Sequence, residues 1–428
     1  MTAWAARGGG TAVSFHPCHL GEVLTSQTFG HHPQLRADII MSLILGLADR
    51  IYPAVPKPHT LRFFSRGWGD MDRSARGVAF FRSWVESNGY DNCDAAPISL
   101  DRPAERGARV QGTFRSPLAD FLPQCAQRCS FELLMPRGIR RPHAIVVLFS
   151  GIGDQTLVYR RVMLASALLE VGIGVVCIMP PLYGERRPAE QPLHYVETVE
   201  LLLLQTVALQ SEALRVLSWL RHEAYPDALL GVGGLSWGGT CAACVGAIWD
   251  GPIAIVSICA SPSFDPLLEG ALDGDLNWAA LIAEMAEVAE GSDPIDAARR
   301  RLREEFDHFS FERLVESAVK GRVERDPRTL RLDGCAKSAL HIIARHDAFV
   351  VREQSQRLHA MMMQMVPRAK LVEVPGGHVS TFVLAPVLAA TMPRTIAHLS
   401  KEMQRSCSGS GPTTTSADAA RAGPTSKL

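Results

Sequence analysis

The sequence predicts an α/β fold with a mostly parallel sheet flanked by helices. Three observations carry that reading. Short apolar runs rich in β-branched residues, such as Ala144–Phe149 and Gly174–Met179, recur through the chain. Such runs mark strands buried on both faces, as in a parallel sheet. Segments with helical spacing separate them, and that alternation builds parallel sheets by crossover. Finally, one junction reads Gly234-Leu235-Ser236-Trp237-Gly238, between an apolar run and a small-residue helix from about Thr240. Glycines on both sides of a serine permit a tight strand-to-helix turn that lifts the hydroxyl above a helix N-terminus.

Composition bounds the classes to consider. The chain has 428 residues, 47% hydrophobic and 21% charged, with 44 basic and 44 acidic side chains. That is an ordinary globular composition with material for a large core. The zero net charge offers no argument for a nucleic-acid partner. No run is long enough to span a bilayer: Ile39–Ala48 is short, and Leu201–Leu204 sits in a helix that carries Glu197, Glu200 and Gln205. The first ten residues lack the apolar core of a secretory signal. Cys241-x-x-Cys244 has no second pair at zinc spacing, so both read as small packing residues. His16, Cys18, His19, His31 and His32 read as loop residues rather than metal ligands, and no metal is expected.

Taken in order, residues 1–35 read as disordered. Residues 36–135 form a helical and aromatic region packed on the core. A helix covers Asp38–Ile51, with Ile40, Ile44, Leu47 and Ile51 on one side, until Pro53, Pro56 and Pro58 break it. The aromatic stretch Leu61–Asp70, a helix over Ala75–Glu86, a turn-rich stretch Gln111–Pro123 and a strand Cys129–Met135 follow. The α/β core takes residues 136–262 and 337–403. Its predicted strands are Ala144–Phe149, Gly174–Met179, Leu229–Gly233, Ile253–Cys259, Ala339–Ala344 and Leu371–Val374. Its predicted helices are Leu157–Val171, Val196–His222, Thr240–Trp249 and a closing helix over Ala385–Met403. Between them the alternation stops: residues 263–336 are charged amphipathic helix, read as a cap over the site, with a peripheral insertion as the alternative. Residues 404–428 read as a flexible tail. Its last residues, Ser426-Lys427-Leu428, match a receptor-read peroxisomal address. The expectation is a peroxisomal protein that meets the import receptor through that tripeptide.

The chemistry follows from the serine. A hydroxyl needs a neighbouring base, itself oriented by an acid. Downstream, Asp347 follows the strand ending at Ala344, and His378 follows the strand ending at Val374. Ser, acid, His is the chain order of the α/β-hydrolase fold. Asp265 remains a rival acid and His346 a rival base. An oxyanion hole needs two N–H donors. Trp237, next after the serine, is one; the loop Ser150–Asp154 holds the other, with Ile152 the first choice and Gly153 the second. In this scheme His378 takes the Ser236 proton as it attacks an acyl carbonyl, then protonates the leaving group. No cofactor is called for.

With these residues placed, the chain resembles the abhydrolase domain-containing protein 18 family of serine hydrolases. FFSRGWGD (residues 63–70) is similar to that family's R-G-W-G signature, and GTFRSPLADFLP (112–123) to its F-x-S-P segment. SGIGDQ (150–155), PPLYGERRP (180–188), LNW (276–278) and GGHVS (376–380) are also similar. The resemblance covers about residues 40–400 and departs at Ser150 and Gln155. It implies a triad of Ser236, Asp347 and His378. It also implies that the R-G-W-G and F-x-S-P segments brace the sheet edge or line the pocket. Arg186 and Arg187 follow a strand's carboxyl end. They read either as binders of an anionic head group or coenzyme A phosphate, or as salt-bridge formers. The substrate expected is a lipid-like acyl ester, with an acyl-CoA thioester as the alternative; a non-catalytic binding protein of the same fold is the remaining reading.

Overall fold

A computed structural model describes residues 47, 49, 51–52, 61–88, 97–105, 107–285, 293–316, 337–366, 368–383 and 398. The chain divides into Met1–Ile40, outside those residues, and Met41–Leu428, to which everything below refers. The expected closing helix, the tail with its Ser426-Lys427-Leu428 ending, and the early histidines lie outside the described residues, except for His398.

One nine-stranded sheet organises the molecule: β1 (Ser99–Leu100), β2 (Arg109–Arg115), β3 (Arg128–Leu134), β4 (Ala144–Phe149), β5 (Gly174–Met179), β6 (Leu229–Leu235), β7 (Ile253–Ile258), β8 (Lys337–Ala344) and β9 (Arg368–Val374). The spatial order is β1-β2-β3-β5-β4-β6-β7-β8-β9. β1, β2, β3 and β5 pair antiparallel, and the five pairings from β5 to β9 are parallel. β4, β5, β7 and β8 are buried at every residue, as strands covered on both faces are; β8 is so despite Lys337, Ser338 and His341. β2 instead alternates buried with exposed or half-buried residues, as a strand with one wet face does. Residues 111–115, read from sequence as turn-rich, therefore belong to a strand. Gly112 hides it from propensity rules, yet a Cβ there would lie 2.1 Å from the Phe131 ring.

Helices cover the sheet: α1 (Met71–Asn88), α2 (Ser166–Glu170), α3 (Val199–Trp219) and α4 (Trp237–Ile248), with α8 (Arg352–Met365) and α9 (His378–Val383) later. Thr198 caps α3, its hydroxyl accepting from the Leu201 N–H at 3.2 Å. Every residue of α3 is buried, Glu200, Gln205, Gln210, Glu212 and Arg215 included, so it is a core helix whose polar side chains need partners inside the protein.

Between β7 and β8 lie α5 (Asp265–Glu269), α6 (Trp278–Ala283) and α7 (Pro294–Asp307). Leu302, Phe306, Phe309 and Phe311 of this insertion are buried. The R-G-W-G segment ties the start of α3 to the insertion: the N–H groups of Val199 and Glu200 donate to the carbonyls of Gly67 and Trp68. Trp68 Nε1 donates to the Leu281 carbonyl at 2.9 Å, and its backbone N–H donates to Glu284. The Arg301 guanidinium lies 4.1 Å from the centre of the Trp68 ring.

Candidate active site

The site lies where the carboxyl ends of β4, β6, β8 and β9 open into loops, the edge at which open α/β sheets carry ligands. Ser236 follows β6 with φ 59° and ψ −128°, a conformation that L side chains rarely adopt. The two glycines of the turn explain how it forms. A Cβ on Gly234 would lie 2.3 Å from the Gly238 carbonyl oxygen, and one on Gly238 would lie 2.6 Å from the Ser150 carbonyl oxygen. Any other residue at either position drives β6, α4 and the β4 loop apart. The turn is held by the Ser236 N–H, which donates to Ile258 of β7 at 2.8 Å.

Asp347 and His378 leave adjacent parallel strands and meet. His378 Nδ1 lies 2.8 Å from Asp347 Oδ2, with both side chains almost fully buried. Asp347 Oδ1 accepts from the N–H groups of Phe349 at 2.9 Å and Val350 at 2.8 Å. The Phe349 ring stacks on the imidazole, with centroids 5.0 Å apart. With Nδ1 engaged by the carboxylate, the tautomer is set and Nε2 carries the basic lone pair. Burial pulls the His378 pKa down, but Asp347, with a smaller push from Asp49, outweighs it and holds the imidazole above its ordinary value. The rival acid, Asp265, accepts from the Ser263 hydroxyl at 2.5 Å, at the start of α5.

Two cavities meet at Ser236. The more enclosed one runs beneath the insertion, between Ile152, Trp237 and Thr240 on one side and Phe264, Leu267, Leu272 and Phe309 on the other. The more open one is lined by Ser236, His378, Ile152, Gly153, Tyr52 and His194. The insertion thus supplies apolar walls to the serine's cavity. Trp237 opens α4, so its N–H lies in the first turn, where no intrahelical acceptor exists. Ile152 lines both cavities. Gly153 lines only the open cavity, with a positive φ of 92° that turns the loop. The loop itself is anchored below by a buried pair: Arg160 Nε donates to Asp154 at 2.7 Å, and its Nη1 donates to the Ile178 carbonyl at 2.5 Å. A π-helical stretch, Arg160–Ala165, presents that arginine.

Arg186 corrects a sequence expectation. It is not available to an anionic head group. Its guanidinium is buried, forks onto Glu212 of α3 at 2.6 and 2.8 Å, and donates to the carbonyls of Met179 and Ala126. The salt-bridge alternative describes it, though in the core rather than at the surface. Arg187 is half-buried and lines neither cavity. Cys241 and Cys244 are buried in α4, and burial pushes the Cys244 thiol up to about 12.

Two neighbours of the site are not singled out by the sequence. Phe349 stacks on the base, and Asp49 bonds to the loops of both Asp347 and His378. Among the described residues, ligand-type atoms of Cys259, Asp347 and His378 also lie within 4.8 Å of one another. The Asp347 oxygens there are already spent on two N–H groups and the imidazole, and burial holds the Cys259 thiol well above its ordinary range.

The sequence pattern of the family described as alpha/beta hydrolase domain containing 18 matches residues 61–392. Among solved structures the chain is similar to an esterase of Pyrococcus furiosus, at 16% identity over 64% of this chain and 88% of that one, with a TM-score of 0.40. It is similar to fungal esterases of Rhizomucor miehei, at 14% identity over 85% and 98%, TM-score 0.44. It is also similar to an alpha-beta serine hydrolase homologue of Coxiella burnetii, at 13% identity over 70% and 100%, TM-score 0.37.

Proposed function

The chain belongs to the alpha/beta hydrolase domain containing 18 family, and we propose that it is a serine hydrolase cleaving an acyl ester. The observation that carries the proposal is the convergence of Ser236, on its strained turn, with His378, whose Nδ1 is held by Asp347. In this reading His378 Nε2 removes the Ser236 proton as Oγ attacks the carbonyl carbon. The N–H groups of Trp237 and Ile152 receive the developing oxyanion, at the positive end of α4. The imidazolium, stabilised by Asp347, then protonates the leaving alcohol, and water returns along the same path to free the acid. The chemistry asks for no metal or organic cofactor.

The enclosed apolar cavity supports placing the acyl group beneath the insertion and the leaving group in the open cavity beside His378. An ester is favoured over an acyl-CoA thioester, because of the two arginines that could meet the phosphates of coenzyme A, Arg186 is committed to Glu212 and Arg187 lines neither cavity. The test is turnover of p-nitrophenyl acyl esters of graded length beside the matching acyl-CoAs. Ester turnover abolished by Ser236→Ala supports the reading; turnover unchanged in that variant, or no turnover of any ester, contradicts it. The Ser426-Lys427-Leu428 ending supports a peroxisomal location, which deletion of the three residues should abolish.

A further inference from the structure

We propose that Asp49 is a positioning residue of this site: its buried carboxylate clamps the Asp347 loop to the His378 loop and seats the imidazole as a base. The proposal rests on the serine-hydrolase reading for its functional meaning. Asp49 lies 329 residues from His378 and outside the strand–helix core, in the N-terminal stretch. Its side chain is fully buried. Oδ2 accepts from the His378 N–H at 2.5 Å and from the Ala348 N–H at 3.1 Å, and Oδ1 accepts from the Val379 N–H at 2.8 Å.

Two carboxylates divide one turn between them. Of three successive N–H groups, Ala348 donates to Asp49, while Phe349 and Val350 donate to Asp347. The N–H groups of His378 and Val379 open α9 and so have no acceptor within the helix. A serine or asparagine would cap such an end at less desolvation cost than a carboxylate. Among the described residues its carboxylate meets backbone N–H groups and no arginine or lysine; burial and the nearby Asp347 push its pKa up, and the three N–H bonds oppose that. What the charge adds is a second negative group beside an imidazole that must become a cation during the reaction.

Two further observations agree. A Cβ on Gly377 would lie 2.6 Å from Asp49 Oδ2, so the glycine before His378 makes room for this carboxylate. The groups facing the imidazole are Asp347 and Asp49, with the Cys259 thiol and the Tyr52 phenol nearby. Both carboxylates push its pKa up.

The experiment uses the full chain with ¹³C-labelled histidine, the His378 signal assigned against His378→Gln. Two variants are compared with the wild type, Asp49→Asn and Gly377→Ala. Asp49→Asn is expected to lower the His378 titration midpoint by about half a pH unit or more. It is also expected to lower kcat on a p-nitrophenyl ester at least about tenfold, with KM within about twofold. Gly377→Ala keeps the charge but pushes it away, and is expected to lower kcat with KM held. A folded Asp49→Asn with the wild-type midpoint overturns the proposal, whether kcat is kept or falls only with the folded fraction. Should Asp49→Asn not fold, Gly377→Ala decides by kcat: wild-type turnover overturns the proposal. A wild type that turns over no ester contradicts the hydrolase reading instead, and the His378 midpoint of the variants still decides the role of Asp49.

Discussion

His378 Nδ1 and Asp347 Oδ2 stand 2.8 Å apart, at the ends of neighbouring parallel strands. The pairing of β8 with β9 brings the two loops together: Asp347 comes three residues after Ala344 and His378 four after Val374, the last paired residues. Asp347→Asn leaves the fold intact but removes the charge that orients the imidazole. Ester turnover is expected to fall by about 10³–10⁴ in kcat, measured in steady state.

The same pair sets the pH dependence. Asp347 raises the His378 pKa, so the imidazole stays protonated, and unable to act as a base, at pH values where an ordinary histidine is neutral. kcat/KM is expected to rise with pH through a midpoint above the ordinary value of about 6.5. In Asp347→Asn the residual activity should show a lower midpoint. A profile flat from pH 5 to 8 would contradict this.

His341 predicts the opposite sign for stability. It is fully buried on β8, no hydrogen-bond partner among the described residues reaches either ring nitrogen, and burial, with a smaller push from His359, lowers its pKa to about 3. The unfolded chain therefore binds a proton that the folded chain refuses between about pH 6.5 and pH 3. Its contribution is full above pH 6.5 and is lost as pH falls through that window. His378, with its raised pKa, works the other way, and its contribution fades as pH rises. Urea melts at several pH values should show a shallower acid loss of stability in His341→Leu than in the wild type.

Arg186 separates a structural from a binding role. Arg186→Met leaves Glu212 buried without its cation, which costs about 3–5 kcal/mol in stability. Chemical denaturation measures this. The ratio of activity on an ester to activity on its acyl-CoA should not change, since the guanidinium faces the core.

Trp68 should matter through packing. Trp68→Ala is expected to cost about 3–5 kcal/mol, because the ring is buried under the insertion. Trp68→Phe, which keeps one ring but loses the bond to the Leu281 carbonyl and part of the buried indole, should cost less, about 2 kcal/mol. Denaturation midpoints of the two variants check the split.

What could be read in the chain was local. The strands β4, β5 and β7 stand out because burial on both faces leaves unbroken apolar runs. The turn at Ser236 is legible because the steric demand falls on residues within two positions of the serine. Asp347 and His378 can be placed after strands for the same reason. The rest depends on partners far along the chain. Arg186 reads as a surface cation until Glu212 meets it from α3. Trp68 reads only as a residue that braces the sheet edge or lines the pocket, and its partners Leu281 and Glu284 lie more than 200 residues away. Asp49 sits in an unremarkable amphipathic stretch, and only the fold brings it to His378. β2 escaped because its central Gly112 answers to the Phe131 ring across the strand pair, not to its own neighbours.

The most direct test of the central claim is covalent labelling with a fluorophosphonate probe, followed by mapping of the adduct by mass spectrometry. An activated Ser236 predicts one stoichiometric adduct on its Oγ, lost in Ser236→Ala and slowed strongly in His378→Gln. Folded wild-type protein that takes up no probe, or takes it up on another residue at the same rate in Ser236→Ala, would contradict the account.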